Sequence, residues 1–332
     1  MRVGLHNACR GHNPGRAHPD SPGRLEALER ALRDHPAVAW ASPFAARRSA
    51  VEAVHDPDYL DELEVFCADG GGPWDPDTVA SPETWRAALA SAGVAQWVAE
   101  AAVSTAPGAH TPFGLCRPPG HHAMYDTAMG FCFFNNVAIA AETLLADHGV
   151  DRVGIIDWDV HHANGTEAYV IDRDDVALVS LHQRGLYPGT GTFRSERHER
   201  VLNVPLPSDL DDAAYLRAFE DAVVPAMTGF DPEVLLVSCG FDAHTGDVLA
   251  SQRVSADGFG LLADAARSLA ADLEVGIGLV LEGGYALDII GNCATAVVDA
   301  FAGDPPERPP RSDDDRLATA LGQIRGHPLI EA

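Results

Sequence analysis

Four apolar runs in the second half of the chain each lead into residues able to do chemistry. Arg152–Asp157 (RVGIID) opens onto Asp157-Trp158-Asp159-Val160-His161-His162, and Val176–His182 (VALVSLH) ends on His182. Glu233–Gly240 (EVLLVSCG) runs into Phe241-Asp242-Ala243-His244, and Val275–Gly284 (VGIGLVLEGG) carries Glu282 and precedes Tyr285. In an open α/β sheet, ligands bind beyond the carboxyl ends of the strands, so these ends define one rim of Asp, His and Tyr. Asp159, His161 and Asp242 make an O/N/O donor triad. Catalytic zinc takes three protein ligands and keeps a position open for water. With no thiolate in the set, borderline or hard divalent ions are favoured, zinc first and ferrous iron its competitor. A lone loop Asp such as Asp242 is explained equally well as a helix cap. A D-x-D-x-H run with a later strand-end Asp is not.

A second cluster is Arg117-Pro118-Pro119-Gly120-His121-His122, followed by Met129-Gly130-Phe131-Cys132. Pro-Pro-Gly fixes a tight turn ahead of two adjacent histidines. By themselves these histidines read as a polar loop pair, and Gly130 and Phe131 as turn and core.

The elements that must position these residues follow from the apolar spacing. The four runs read as buried strands. Between them, 211–227 and 255–273 have helical spacing, with Asp211 and Ser255 as N-caps. Strand–helix alternation predicts an α/β fold, a doubly wound parallel sheet with helices on both faces. The first half reads as more helical, over Pro22–Asp34, Pro57–Ala68, Pro82–Val103 and Asn135–His148. No repeat and no linker precede residue 303, so residues 1–302 read as one domain. The Pro- and acid-rich segment Gly303–Asp315 reads as a connector to a last helix, with 303–332 packing on that domain.

Composition narrows the function classes. The chain has 332 residues and a net charge of −26, and every base apart from histidine is arginine. Such a surface repels nucleic acid rather than gripping it. Codon bias explains the missing lysine but not the acid excess, whereas a salt-adapted cytoplasm explains the acids. No run reaches the roughly 18 apolar residues of a membrane helix, and the first residues lack a secretory apolar run, so a cytoplasmic address is expected. Six cysteines without a CxxC pair give no support to a zinc ribbon or a thioredoxin-type site. Cys132 and Cys239 read as small core residues.

Six segments in order, RPPGHHA, MGFCFFNN, DWDVHHANGT, SLHQRGLYPGTG, SCGFDAHTGDVL and LEGGY, resemble the zinc-dependent histone deacetylase superfamily. The likeness is greatest to class II members and to bacterial or archaeal deacetylase-like amidohydrolases. It spans nearly the whole chain, from His18-Pro19 and Arg24 to beyond Tyr285. The resemblance implies the arginase–deacetylase fold, a doubly wound parallel sheet of about eight strands. It implies zinc held by Asp159, His161 and Asp242, with His121 and His122 beside the reacting water. Asp157 would then hydrogen-bond His121, raising its basicity and fixing its tautomer. Asn164 stands where class I members carry a second Asp, which sorts the chain with class II. His122 would shuttle the proton, His121 would act electrostatically, and Tyr285 would donate its hydroxyl to the oxyanion.

The resemblance also implies a potassium site at Asp157, Asp159, His161, Ser180 and Leu181. Phe131 and Tyr187 match the walls of a lysine channel, with Gly130 beside them and Leu249 at its rim. A polyamine-specific relative carries an acid at the Leu249 position, so the substrate expected is an acetylated lysine in a protein or peptide. An acetylpolyamine or other acetylated small amine is the alternative. A non-catalytic acyl-lysine binding module is opposed by the presence of His121, His122 and Tyr285 together. An arginase-type manganese enzyme is opposed by the absence of its paired-metal ligands. Oligomeric assembly is left open.

Overall fold

The computed structural model describes residues 1–104, 110–193 and 199–331. Its strands are β1 (Arg2–Gly4), β2 (Ala39–Ala41), β3 (Gly72–Pro73), β4 (Val79–Ala80), β5 (Pro112–Gly114), β6 (Val153–Asp157), β7 (Val176–Gln183), β8 (Val201–Leu206), β9 (Val234–Cys239) and β10 (Gly276–Leu281). Eight of them form one sheet in the order β2-β1-β5-β10-β9-β6-β7-β8, every neighbouring pair parallel. β3 and β4 form a separate antiparallel hairpin.

Alternate residues of the central strands feed two apolar clusters. Ile156, Val179, Val237 and Leu279 face a cluster shared with helices Gly23–Leu32, Ala256–Asp272 and Ile290–Phe301. Ile155, Leu178, Leu236 and Val280 face one shared with helices Thr84–Ser104 and Asn136–Asp147. A strand presents successive side chains to opposite faces, so this partition is the signature of a sheet covered on both sides. The doubly wound α/β architecture expected from the sequence is the one observed. A third cluster, with Tyr59, Leu63, Phe133 and Phe134, lies beneath the hairpin and the segment that carries Gly130 and Phe131.

Several elements differ from the sequence reading. The first half, read as helical, also supplies β1, β2 and β5, each three residues long and too short to show a period. β8 contains Asn203 and Pro205, which argue against a strand, but it is an edge strand, where proline is tolerated. The helix expected over 211–227 is interrupted: a π turn at Phe219–Val223 separates Asp212–Ala218 from Val224–Phe230. Pro225 lacks the N–H that a continuous α-helix needs, and the wider turn absorbs that loss. Asp211 and Ser255 do cap their helices, accepting from Ala214 N–H and Gly258 N–H. Beyond residue 303 the chain runs irregularly, with Arg308 and Arg311 paired to Glu220 and Asp221. Helix Asp315–Gln323 then buries Leu317 and Leu321 beside β8.

Candidate active site

Register sets the carboxyl ends of the central strands level. Asp157, the last residue of β6, lies opposite Ser180 of β7 and Ser238 of β9. Asp157 Oδ1 accepts the Asp159 N–H at 3.0 Å, and Asp159 Oδ1 accepts the His161 N–H at 2.9 Å. Asp242, beyond β9, accepts the Val160 N–H through Oδ1 at 2.9 Å. These bonds turn three side chains toward one point. His161 Nδ1 stands 3.1 Å from Asp159 Oδ1 and 3.0 Å from Asp242 Oδ2. One donor atom from each of Asp159, His161 and Asp242 lies within 4.8 Å of the others.

Small residues keep this space open. A Cβ on Gly240 would sit 2.3 Å from Asp159 Oδ2, and one on Gly283 would sit 2.1 Å from Asp242 Oδ2. Burial and the Asp159 charge push the Asp242 carboxyl up to about 7. Two fully buried carboxylates converging on one imidazole nitrogen form a donor set short of positive charge, and a divalent cation fits it.

The two histidines stand beside this triad. His121 Nδ1 is 3.0 Å from Asp157 Oδ2, and the His121 and His122 rings lie 4.0 Å apart. Burial works against a charge on His121, but Asp159 and then Asp157 outweigh it and raise its pKa to about 10. Burial, then the charges of His121 and His161, lower His122. His122 Nδ1 is 2.7 Å from Asn164 Oδ1. The Asn164 amide NH2 faces only acceptors, the His122 carbonyl and the sulfurs of Met124 and Met129. That orientation leaves Oδ1 for His122, so His122 carries its proton on Nδ1 and keeps Nε2 free to accept one.

Aromatic rings pack beside His122 and Tyr285. Tyr187 packs edge-on against His122 at 5.0 Å, and Phe131 against Tyr285 at 5.6 Å. A Cβ on Gly130, whose φ is +56°, would lie 2.4 Å from the His122 ring and 2.8 Å from Tyr187. Any larger residue would collide with both rings. Leu249 is half-buried on the loop after β9, its N–H accepted by Asp247 Oδ1 at 3.0 Å. Of the residues named for potassium, Ser180 and Leu181 are buried on β7 beside Asp157, and Ser180 Oγ is 2.9 Å from His182 Nδ1.

The orienting roles of the residues around these groups escaped the sequence reading. Asp247 Oδ2 accepts the Tyr285 N–H at 2.6 Å. Arg24 donates through Nε to the Gly284 carbonyl at 2.6 Å and through Nη2 to the Glu282 carbonyl, and lies 4.8 Å over the Tyr285 ring. Arg117, fully buried, pairs with Asp20 at 3.1 Å and donates to the carbonyls of Cys9, His12 and Asp20. Thr78 Oγ1 accepts the Phe131 N–H at 3.2 Å. None has a local spacing that announces it. Arg117, directly before Pro-Pro-Gly, is the one whose position offered a clue.

Gathered at the carboxyl ends of a parallel sheet, a buried carboxylate–histidine donor set, two histidines and a tyrosine make a site suited to metal-assisted hydrolysis. The family model described as Histone deacetylase domain matches residues 18–301, and the chain belongs to that family. It is 39% identical over 257 residues to the histone deacetylase-like amidohydrolase of Pseudomonas aeruginosa, covering 75% of this chain and 67% of that one. It is 36% identical to a probable deacetylase of Methanothermobacter thermautotrophicus, covering 86% of each chain. Among solved structures, the HDA15 HD domain superposes with a TM-score of 0.88 at 29% identity, covering 99% of this chain and 96% of that one. The arginase–deacetylase fold and the amide-hydrolase class expected from the sequence both hold. Among the described residues, no helix is long and apolar enough to cross a membrane.

Proposed function

We propose that this deacetylase is zinc-dependent and removes acetyl, or another acyl, from lysine side chains of a protein or peptide. The observation that carries this reading is a buried group of three donors able to hold a metal ion, beside a histidine whose Nε2 is free to accept a proton. Asp159, His161 and Asp242 would hold a zinc ion, which would supply Lewis acidity toward water and the acyl carbonyl, and ferrous iron suits the same donors. His122 Nε2 accepts a proton from the attacking water and returns it to the leaving amine. His121, held as an imidazolium by Asp157 and Asp159, stabilises negative charge on the acyl oxygen. Tyr285 donates its hydroxyl to that oxygen as charge develops. The C–N bond breaks, a C–O bond forms, and the products are a carboxylate and a free amine.

Phe131, Tyr187 and Gly130 favour a slender alkyl chain leading to the acyl group, and Leu249 offers no charge to a distal ammonium. An acetylated small amine is the second reading, and the broader word amidohydrolase in the name of the Pseudomonas relative is compatible with it. Chelation should abolish hydrolysis of an acetyl-lysine peptide, and zinc or ferrous iron should restore it. Full activity in metal-free protein would overturn the metal assignment, and faster turnover of N-acetylputrescine than of the peptide would favour the second reading.

Potassium at Asp157, Asp159, His161, Ser180 and Leu181 is part of the proposal, as is a salt-adapted surface bearing the −26 charge. Screening accepts sodium as readily as potassium, whereas a potassium site distinguishes them. Activity and melting temperature should therefore rise toward molar salt, more in KCl than in NaCl. A steady decline above about 0.05 M, where the Debye length is still long, would overturn the salt-adapted reading. A reducing, cytoplasmic setting is supported by six buried cysteines, none in a disulfide.

A further inference from the structure

Most of the buried acids around the site have work already described: Asp157 meets His121, Asp159 and Asp242 make the donor triad, and Asp247 holds Tyr285. Glu282 does not. It is fully buried, and its carboxylate takes hydrogen bonds from three neutral donors. Oε2 accepts the Gly120 N–H at 2.7 Å and the His121 N–H at 3.2 Å, and Oε1 accepts the Ser238 hydroxyl at 3.2 Å. Pro118 and Pro119 carry no N–H, so Gly120 and His121 supply the first donors of that turn after Arg117. Both converge on one oxygen. Space leaves the turn little choice, since a Cβ on Gly120 would lie 2.5 Å from the Asn136 nitrogen.

The anchor is itself fixed. Glu282 follows β10 directly, and Arg24 grips the carbonyls of Glu282 and Gly284. The next N–H, that of Gly283, goes to Asp159 Oδ2 at 2.8 Å. His121 is thereby tethered twice, by its N–H to Glu282 and by its ring to Asp157 at 3.0 Å. We infer that Glu282 is a positioning residue: its carboxylate sets the backbone of the tandem-histidine turn against the triad. The inference rests on the hydrolytic role proposed for the two histidines, which Glu282 serves without touching substrate.

Reach and charge separate in three substitutions, compared with the native chain as metal-loaded protein. Glu282→Gln keeps the reach, its amide oxygen toward the two N–H groups and its NH2 toward Ser238 Oγ. Glu282→Asp keeps the charge but is one methylene short, and Glu282→Ala keeps neither. The Gln variant should hold kcat within about threefold, while Asp and Ala lose on the order of 10²-fold with KM nearly unchanged, as expected for misplaced reacting groups. Metal content should stay at the native level in all three. In amide NMR, the Gly120 and His121 protons should be downfield and slow to exchange in the native and Gln proteins, and lose both properties in Asp and Ala.

An Asp variant of native rate beside an impaired Gln variant would overturn the inference in favour of a charge effect. So would kcat within threefold of native in all three, or losses that only track melting temperature or metal content. The NMR comparison decides the tether even if the native chain hydrolyses no amide, an outcome that would sink the functional reading instead. If the Ala variant does not fold, the Gln and Asp pair still decides.

Discussion

The loops after β6 and after β5 meet at the site, and they are held in opposite ways. Along the β6 loop, Asp157 receives the N–H of Asp159 and Asp159 that of His161, each bond spanning two residues. The β5 loop is held from far along the chain: Arg117 reaches Asp20, 97 residues away, and Gly120 reaches Glu282, 162 residues away. The first loop is shaped largely by its own neighbours, with Asp242 and Gly283 completing it from afar, and the second is set in place by the finished fold. Substitutions in the first should therefore change chemistry at little cost to stability, and those supporting the second should cost stability first.

The largest effect belongs to the first loop and its partner. Asp159→Ala or Asp242→Ala should lose the metal and bring hydrolysis to background while the protein still folds. Metal analysis with a melting curve checks this, and native metal content in either variant would break the contrast. Next is Tyr285→Phe, which removes the proposed oxyanion donor and should lower kcat on the order of 10²–10³-fold, with metal content and melting temperature unchanged. A near-native kcat would mean that another group holds the acyl oxygen.

Arg117→Met probes the distant support. It leaves Asp20 buried without one of its cations, the kind of change that costs about 3–5 kcal/mol. Denaturant unfolding should show that loss, with metal content retained. A stability change under about 1 kcal/mol would mean the loop does not depend on this clamp.

The smallest effect concerns His55, which braces the same region: its Nδ1 donates to the Met124 carbonyl at 2.9 Å and its Nε2 accepts the Asn135 N–H at 2.9 Å. Burial lowers its pKa to about 4. In the unfolded chain it titrates near 6.5, so the unfolded state binds the proton first as pH falls. Stability is then full above about 6.5 and declines down to about 4, by about 3 kcal/mol in all. Unfolding midpoints across that window, for the native chain and His55→Gln, should diverge at high pH and converge at low pH. Parallel profiles would remove His55 from the account.

The same contrast explains what could be read in advance. D-x-D-x-H is legible because a two-residue repeat of side-chain-to-backbone bonds leaves its mark in local spacing. The central strands β6, β7, β9 and β10 were legible because burial on both faces writes an unbroken apolar run. Asp20, Arg117, Asp247 and Glu282 left no such mark, since their partners lie on other loops and only the fold brings them together. β1, β2 and β5 were missed because three residues cannot display a period. For His121 and His122, local chemistry alone could not separate a working pair from an ordinary loop pair; the distant partners Asp157 and Asn164 are what support the working pair proposed above.

All six cysteines are buried, and burial raises the pKa of every one of their thiols. Thiolate is the reactive form, so the native chain offers little to a maleimide or to an oxidant. Val248, beside Leu249, is 80% exposed. Val248→Cys would thus place one reactive sulfur next to the proposed channel rim without removal of a native cysteine. The protein is in effect supplied ready for single-site labelling, and a fluorophore at that position would report on substrates arriving at the rim.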